Sequence, residues 1–131
     1  MDLNDIRAGV ADHDKGRWFT LQDPVSGEPT GIRLKISGPD SATQRRAELE
    51  MTDRLAEMAG PDGRISARDR ETARLETLAA CVLGWSVLED GQPVPFNTAN
   101  VLRLLRMAKW VEIQIDNFAG DRAAFRDGGE E

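Results

Sequence analysis

Two short stretches near the N-terminus have the alternating apolar and polar pattern of half-buried strands. They are residues 18–22 and residues 31–36, and the second alternates isoleucine or leucine with arginine or lysine. Residues 23–30 between them contain two prolines and a glycine, which favour turns. The pattern predicts an antiparallel hairpin with a long tip. Because an isolated hairpin is marginal in water, its apolar face must pack on helices or its edge must recruit a strand from another chain.

Apolar residues recur at helical spacing in four later segments. The predicted helices span residues 41–59, 66–83, 98–108 and 110–125, and Gly84 is expected to close the second of them in a left-handed conformation. The sequence therefore predicts an α+β fold in which an N-terminal β-hairpin is followed by a bundle of about four α-helices.

Polar residues with short side chains stand where these helices begin. Either Asp40 or Ser41 can cap the first helix, Ser66 the second, and Asn97 or Thr98 the third. Each can accept a hydrogen bond from a free backbone N–H of the first turn. The positions of these residues support the predicted helix starts.

The predicted elements form one domain with two polar ends. Residues 1–17 are expected to be a flexible or partly helical arm, residues 18–125 a single, mainly helical α+β domain, and residues 126–131 a disordered acidic tail.

The single histidine, His13, lies between two aspartates with no second His or Cys cluster near it. We expect it to be a solvated loop residue rather than a metal ligand.

Composition excludes several classes of protein. The chain has 131 residues, 40% of them hydrophobic and 31% charged, which fits one folded domain rather than a disordered or membrane protein. A net charge of −6 repels phosphate backbones, so nucleic acid is not an expected partner. Apolar runs are too short for a secretory signal or a membrane span, so a cytoplasmic location is expected. The single cysteine, Cys81, is expected to be a small buried hydrophobic residue.

No catalytic or cofactor-binding constellation is visible. The sequence lacks a glycine-rich phosphate loop and Cys/His ligand spacing, and its only histidine lies in an acidic stretch. We therefore expect neither an enzyme nor a cofactor. A regulatory DNA-binding module is also disfavoured, because the cations Arg103, Arg106 and Lys109 fit a solvated helix end better than a recognition helix.

Four large aromatic side chains are the candidate partner-binding residues: Trp85, Phe96, Trp110 and Phe118. Aromatic residues dominate protein interfaces when they are exposed. In a small domain they equally serve as core residues, and the sequence leaves both assignments open for each of the four.

Several short segments together resemble the tail assembly chaperones of long-tailed, siphophage-type bacteriophages and prophages. The similarity covers residues 18–125. The segments that carry it are residues 18–24, 27–32, 37–41, 84–85, 90–91, 93–97 and 121–125.

The resemblance implies a non-catalytic protein of the host cytoplasm. A chaperone of this family binds the tape measure protein and keeps it soluble while subunits of the major tail tube protein polymerise around it. It is absent from the mature virion, and some members also exist as a longer frameshift product. The predicted hairpin edge offers a way to form a homo-oligomer by strand pairing.

Another small virion protein is the alternative. A head-tail connector, neck protein or tail terminator would also be small, oligomeric and without catalytic groups. A gene between those of the tail tube and the tape measure protein would favour the chaperone, whereas a gene just after the capsid genes would favour the connector.

Overall fold

The computed structural model of the chain describes residues 1–126, and these contain five α-helices and five strands. The helices are α1 (Leu3–Lys15), α2 (Ala42–Met58), α3 (Ala67–Ala80), α4 (Thr98–Met107) and α5 (Lys109–Ala119), and a 3-10 turn follows at Arg122–Phe125. The strands are β1 (Arg17–Gln22), β2 (Pro29–Ile36), β3 (Val82–Ser86), β4 (Leu88–Glu89) and β5 (Gln92–Pro93). The α+β class is confirmed. The tail predicted for residues 126–131 lies, apart from its first residue, outside the described residues.

The predicted arrangement of a hairpin followed by a four-helix bundle is wrong in one main respect. The hairpin of β1 and β2 forms as expected, but β3 pairs antiparallel with β2 and makes a three-stranded sheet. The helix predicted for residues 66–83 ends at Ala80, and Gly84 lies within β3 instead of closing the helix. A short apolar run fits the end of a helix or a buried strand equally well, and pairing with β2 decides for the strand.

The core lies between the inner face of this sheet and three helices. Leu34 and Ile36 of β2 are fully buried, as are Leu105 of α4 and Ile115 of α5. Phe125 of the 3-10 turn closes one end of the same cluster. The predicted final helix therefore breaks at Gly120, and its last apolar residue packs from a separate turn.

Helix α2 pairs with α3 and contributes little to the core. Ser41 caps it, and its buried residues are Gln44 and Ala47. The side-chain amide of Gln44 donates to the carbonyl oxygens of Ser37 at 2.7 Å and of Ala119 at 2.9 Å. This amide ties the start of α2 to the end of β2 and to the end of α5, because a buried amide must satisfy its donors.

Helix α1 is attached to the domain mainly through its last turns, where His13 is buried. His13 Nδ1 accepts a hydrogen bond from the backbone N–H of Asp40 at 2.9 Å, and the ring lies 5.4 Å from that of Phe125. Gly38 packs directly against the imidazole. The prediction of a solvated loop histidine is therefore wrong, because the preceding residues are helical and place the ring against the domain.

The N-terminal half of α1, by contrast, buries none of its apolar side chains. Leu3 is 74% exposed and Ile6 is 55% exposed, and Met1 projects fully into solvent. A cleft of about 610 Å³ with mixed polar and apolar lining separates this half of α1 from Arg45 and Glu48 of α2. Helix α1 thus presents an apolar surface that no described residue covers.

Strand β3 covers one edge of the predicted hairpin, and a side chain covers the end of the other edge. The free side of β2 is occupied by β3 of the same chain. At the end of β1, the side chain of Gln114 accepts from the N–H of Gln22 at 3.0 Å and donates to its carbonyl oxygen at 2.9 Å. The amide of Gln114 thus makes the two hydrogen bonds that a neighbouring strand would make.

Among the described helices, none combines the length and the apolar character needed to cross a bilayer.

Two glycines provide a matched test of how α1 docks. A Cβ at Gly38 would lie 2.6 Å from the imidazole of His13, whereas a Cβ at Gly9 inside α1 meets nothing within 4 Å. We expect Gly38→Ala to destabilise the fold by about 1–3 kcal/mol through overpacking. Gly9→Ala should stabilise it by up to about 1 kcal/mol through helix propensity. Chemical denaturation measures both, and equal effects of the two substitutions would contradict this packing.

The ion pair between Asp40 and Arg122 should make stability depend on acidity. The hydrogen bonds from Arg122, 2.6 and 2.8 Å long, hold the pKa of the Asp40 carboxyl below its usual value of 3.8. Because the folded pKa is lowered, the contribution of the pair is complete above the unfolded pKa and is lost as the pH falls through the folded pKa. Arg122→Gln should thus lower stability at neutral pH and have no effect in strong acid. Unfolding measured across this range checks it, with Arg126→Gln as the control for lost charge.

Candidate functional site

The four candidate aromatic residues separate into two groups. Phe118 is half-buried and stacks on Phe19 with a centroid distance of 4.7 Å, and Trp110 packs against the core. Trp85 also packs against the core, but it meets Phe96 edge to face, with ring centroids 5.8 Å apart. The structure therefore brings Trp85 and Phe96 together at one place and leaves Trp110 and Phe118 with the core.

A tight turn positions Trp85 at this surface. Asp90 and Gly91 have φ angles of 52° and 79°, and they reverse the chain between β4 and β5. The returning segment places Val94 beside β3, where its carbonyl oxygen accepts a hydrogen bond from Trp85 Nε1 at 2.9 Å. The N–H of Val94 donates to the carbonyl oxygen of Val87 at 2.9 Å. The indole is thereby held in one orientation with its polar atom satisfied.

An apolar groove lies beside the fixed indole, and we refer to it as the Trp85 groove. Its apolar lining is formed mainly by Ile32, Trp85, Val87, Leu88, Leu104 and Met107. Leu88 is 64% exposed and Met107 is 60% exposed, and Phe96, 44% exposed, extends the same surface beyond Trp85. Large apolar side chains gathered at one place on a surface mark an interaction site.

The size of the groove fits side chains better than a small molecule. Its volume is about 110 Å³, whereas pockets for small ligands occupy roughly 300–1,000 Å³. Larger clefts elsewhere, such as the one beneath α1, are lined by charged groups including Asp40 and Glu48. The Trp85 groove is therefore suited to a few apolar side chains that project from another polypeptide.

One ion pair borders the groove. Arg103 of α4 forms two hydrogen bonds to the carboxylate of Glu89, at 3.1 and 3.2 Å, across the polar side of the groove. Arg106 and Lys109 line a different cleft together with Glu112, and Lys109 Nζ lies 3.8 Å from Glu112 Oε1. The charged side chains that line the Trp85 groove therefore balance each other.

The Cys81 thiol and the residue types that can bind metal ions occupy structural positions in the described part of the chain. Burial raises the pKa of the Cys81 thiol to about 12, so the sulfur stays protonated and weakly reactive at neutral pH. No set of three His, Cys, Asp or Glu side chains within the described part of the chain is arranged to hold a metal ion. The arrangement of the Trp85 groove can bind another molecule but contains no paired acid, base or nucleophile.

No family model matches the chain, and no curated protein or solved structure is significantly similar to it. The Trp85 groove is thus the feature on which a functional proposal can rest.

Of the apolar residues that line this groove, sequence reasoning identified only Trp85, and it missed the two most exposed ones, Leu88 and Met107. Leu88 lies in the two-residue strand β4, and Met107 ends α4. The available signal for Leu88 was the dipeptide Asp90-Gly91 two residues later, which favours a tight turn.

The two groups of aromatic residues should respond differently to truncation. Phe118→Ala removes a ring packed between Phe19 and Phe125, and we expect a loss of about 2–5 kcal/mol in unfolding free energy. Phe96→Ala removes a largely exposed ring and should cost less than about 1 kcal/mol. Thermal and chemical denaturation measure the difference. A large loss at Phe96 would assign that ring to the core and remove it from the candidate surface.

Proposed function

We propose that this chain is a non-catalytic assembly chaperone of a bacteriophage tail that binds the tape measure protein. The exposed Trp85 groove is the observation that carries the proposal. In this function the protein keeps the tape measure protein soluble in the host cytoplasm and helps to recruit major tail tube protein subunits. It forms homo-oligomers and is left out of the mature virion.

A helix is the client segment that the groove fits best. Leu88 and Met107 line the groove as exposed side chains beside the half-buried Trp85. Side chains spaced three or four residues apart on one face of a helix can enter such a groove together. A tape measure protein is long, helical and apolar, so it offers this pattern repeatedly, and a shallow groove can bind it without one unique sequence.

Apolar contacts, not charge, would hold a client helix in the groove. Arg103, the cation that lines the groove, is already paired with Glu89, and Arg106 and Lys109 line a separate cleft with Glu71 and Glu112. An exposed ion pair of this kind adds little net affinity.

A head-tail connector, neck protein or tail terminator is the alternative function. Such a protein uses apolar surface to bind its neighbours in the particle and stays in the virion. Mass spectrometry of purified particles separates the two: a chaperone is missing from them, and a connector is present in a fixed number of copies.

Co-expression with the tape measure protein of the same phage or prophage tests the chaperone function. We expect the soluble fraction of the tape measure protein to rise when this chain is present and the two proteins to purify together. Leu88→Asp combined with Met107→Asp should abolish both effects, because two buried charges in the groove cost far more than the contacts they replace.

The matched control is Val25→Asp at the tip of the hairpin between β1 and β2, where the side chain is 95% exposed and does not line the groove. This variant should keep full chaperone activity. Unchanged solubility of the tape measure protein in the presence of the wild-type chain would contradict the proposed function.

A further inference from the structure

The outer face of the three-stranded sheet contains two cations and no acid. Residues opposite each other on paired strands share a face, and Leu34 and Trp85 belong to the inner face that packs on the helices. The alternate positions point outwards. They are Trp18, Thr20, Arg33, Lys35, Gly84 and Ser86. Arg33 and Lys35 form no ion pair within the described part of the chain.

This outer sheet face is ordered at one side and open at the other. The guanidinium carbon of Arg33 lies 4.6 Å from the centre of the Trp18 ring, a cation–π contact. A guanidinium stacked in this way still has N–H groups in its plane that can bind a carboxylate. A Cβ at Gly84, opposite Lys35, would meet nothing within 4 Å. The face can therefore receive a side chain from another molecule next to two positive charges.

Helix α2 presents the complementary surface. Glu50, Asp53 and Glu57 are exposed, and they form no ion pair with any described residue. Leu49, four residues before Asp53, lies beside it on the same side of the helix and is 61% exposed. Arg54, the only basic residue within residues 50–57, pairs with α3 instead. The acidic side of α2 thus combines an uncovered apolar side chain with carboxylates that have no partner within the described residues.

The spacing of charges on the two surfaces is similar. The three acids of α2 are three and four residues apart, so neighbouring ones are separated by about 5–6 Å. Arg33 and Lys35 are two residues apart on one strand, a separation of about 6.8 Å. We infer that the acidic side of α2 in one copy docks on the outer sheet face of a second copy. In this contact two carboxylates pair with the two cations, and Leu49 fills the open space at Gly84.

The remaining helices of the described chain do not offer this combination. In α1, the side chains of Asp2 and Asp5 form the capping box. The carboxylates of Glu71 and Glu76 in α3, and of Glu112 in α5, pair with arginines. Each of these helices has at most one acid without an ion pair or a side-chain hydrogen bond to the described residues. Helix α2 of a second copy is therefore the occupant with the best charge complementarity to the sheet face.

The contact joins two different surfaces and is heterologous. Every added copy leaves a free α2 at one end and a free sheet face at the other, so the result is a ring or an open filament. Neither surface lines the Trp85 groove, so a client can bind while copies are associated. The inference names the surfaces of the homo-oligomer that belongs to the proposed function, and in that respect it rests on that function.

Charge reversal in the purified full-length chain tests the inference. We expect the wild-type chain to self-associate in sedimentation, and to do so more weakly as salt is added. Arg33→Glu with Lys35→Glu should weaken association by at least about tenfold, and so should Glu50→Lys with Asp53→Lys. Each pair of substitutions places like charges opposite each other. Thermal melting checks that both variants are folded, and Arg33→Glu alone, at an exposed position, replaces the sheet variant if that variant unfolds.

Mixing the two double variants gives the sharper result. The sheet variant is acidic on both surfaces and the α2 variant is basic on both, so each repels its own copies. Together they present opposite charges at both contacts, and the mixture should recover association with alternating copies. Arg68→Glu with Arg70→Glu makes the same change in net charge at exposed sites of α3 and should associate like the wild-type chain.

A monomeric wild-type chain, association that either double variant leaves unchanged, or a mixture that does not recover it would each overturn the inference. An equal loss in the α3 control would also overturn it, because net charge alone would then explain the effect. Binding of a single-stranded oligonucleotide that Arg33→Glu with Lys35→Glu abolishes would assign the sheet face to nucleic acid instead. Failure here leaves client binding intact in the co-expression assay, whereas failure of client binding leaves the charge-dependent self-association intact.

Discussion

Pairing of β3 with β2 is the constraint on which the rest of the molecule depends. A hairpin of β1 and β2 alone would expose its apolar face and the outer backbone edge of each strand, and such hairpins are marginal in water. The third strand covers the edge and places Trp85 opposite Leu34. Helices α3, α4 and α5 then cover the enlarged face. The strand that completes the sheet also positions the indole at the groove, so folding and the candidate site share one element.

The sequence predicted those parts of the fold that depend on interactions between residues close together in the chain. The alternation in β2 and the short polar residues Ser41, Ser66 and Asn97 were sufficient, because each cap accepts a hydrogen bond from its own helix. Residues 82–86 were assigned to the wrong class of element. Their conformation is set by a strand more than 40 residues earlier in the chain, which periodicity does not encode.

The candidate site was predictable only in part, for a related reason. Aromatic residues are natural candidates for binding, and Trp85 and Phe96 were identified on that basis. Whether a side chain lies in the core or on the surface depends on which elements pack over it, so Phe118 could not be separated from these two in advance. The burial of His13 depends similarly on contact between α1 and Gly38, residues that are far apart in sequence.

The side chain of Gln114 has a consequence for how copies of this chain can meet. By occupying both backbone hydrogen-bonding groups of Gln22, it blocks strand addition at that corner of the sheet. Contacts between copies must there be made by side chains, which separate and re-form far more readily than a continuous β-ladder. The covered corner is for the same reason a poorer template for cross-β aggregation than an open strand end.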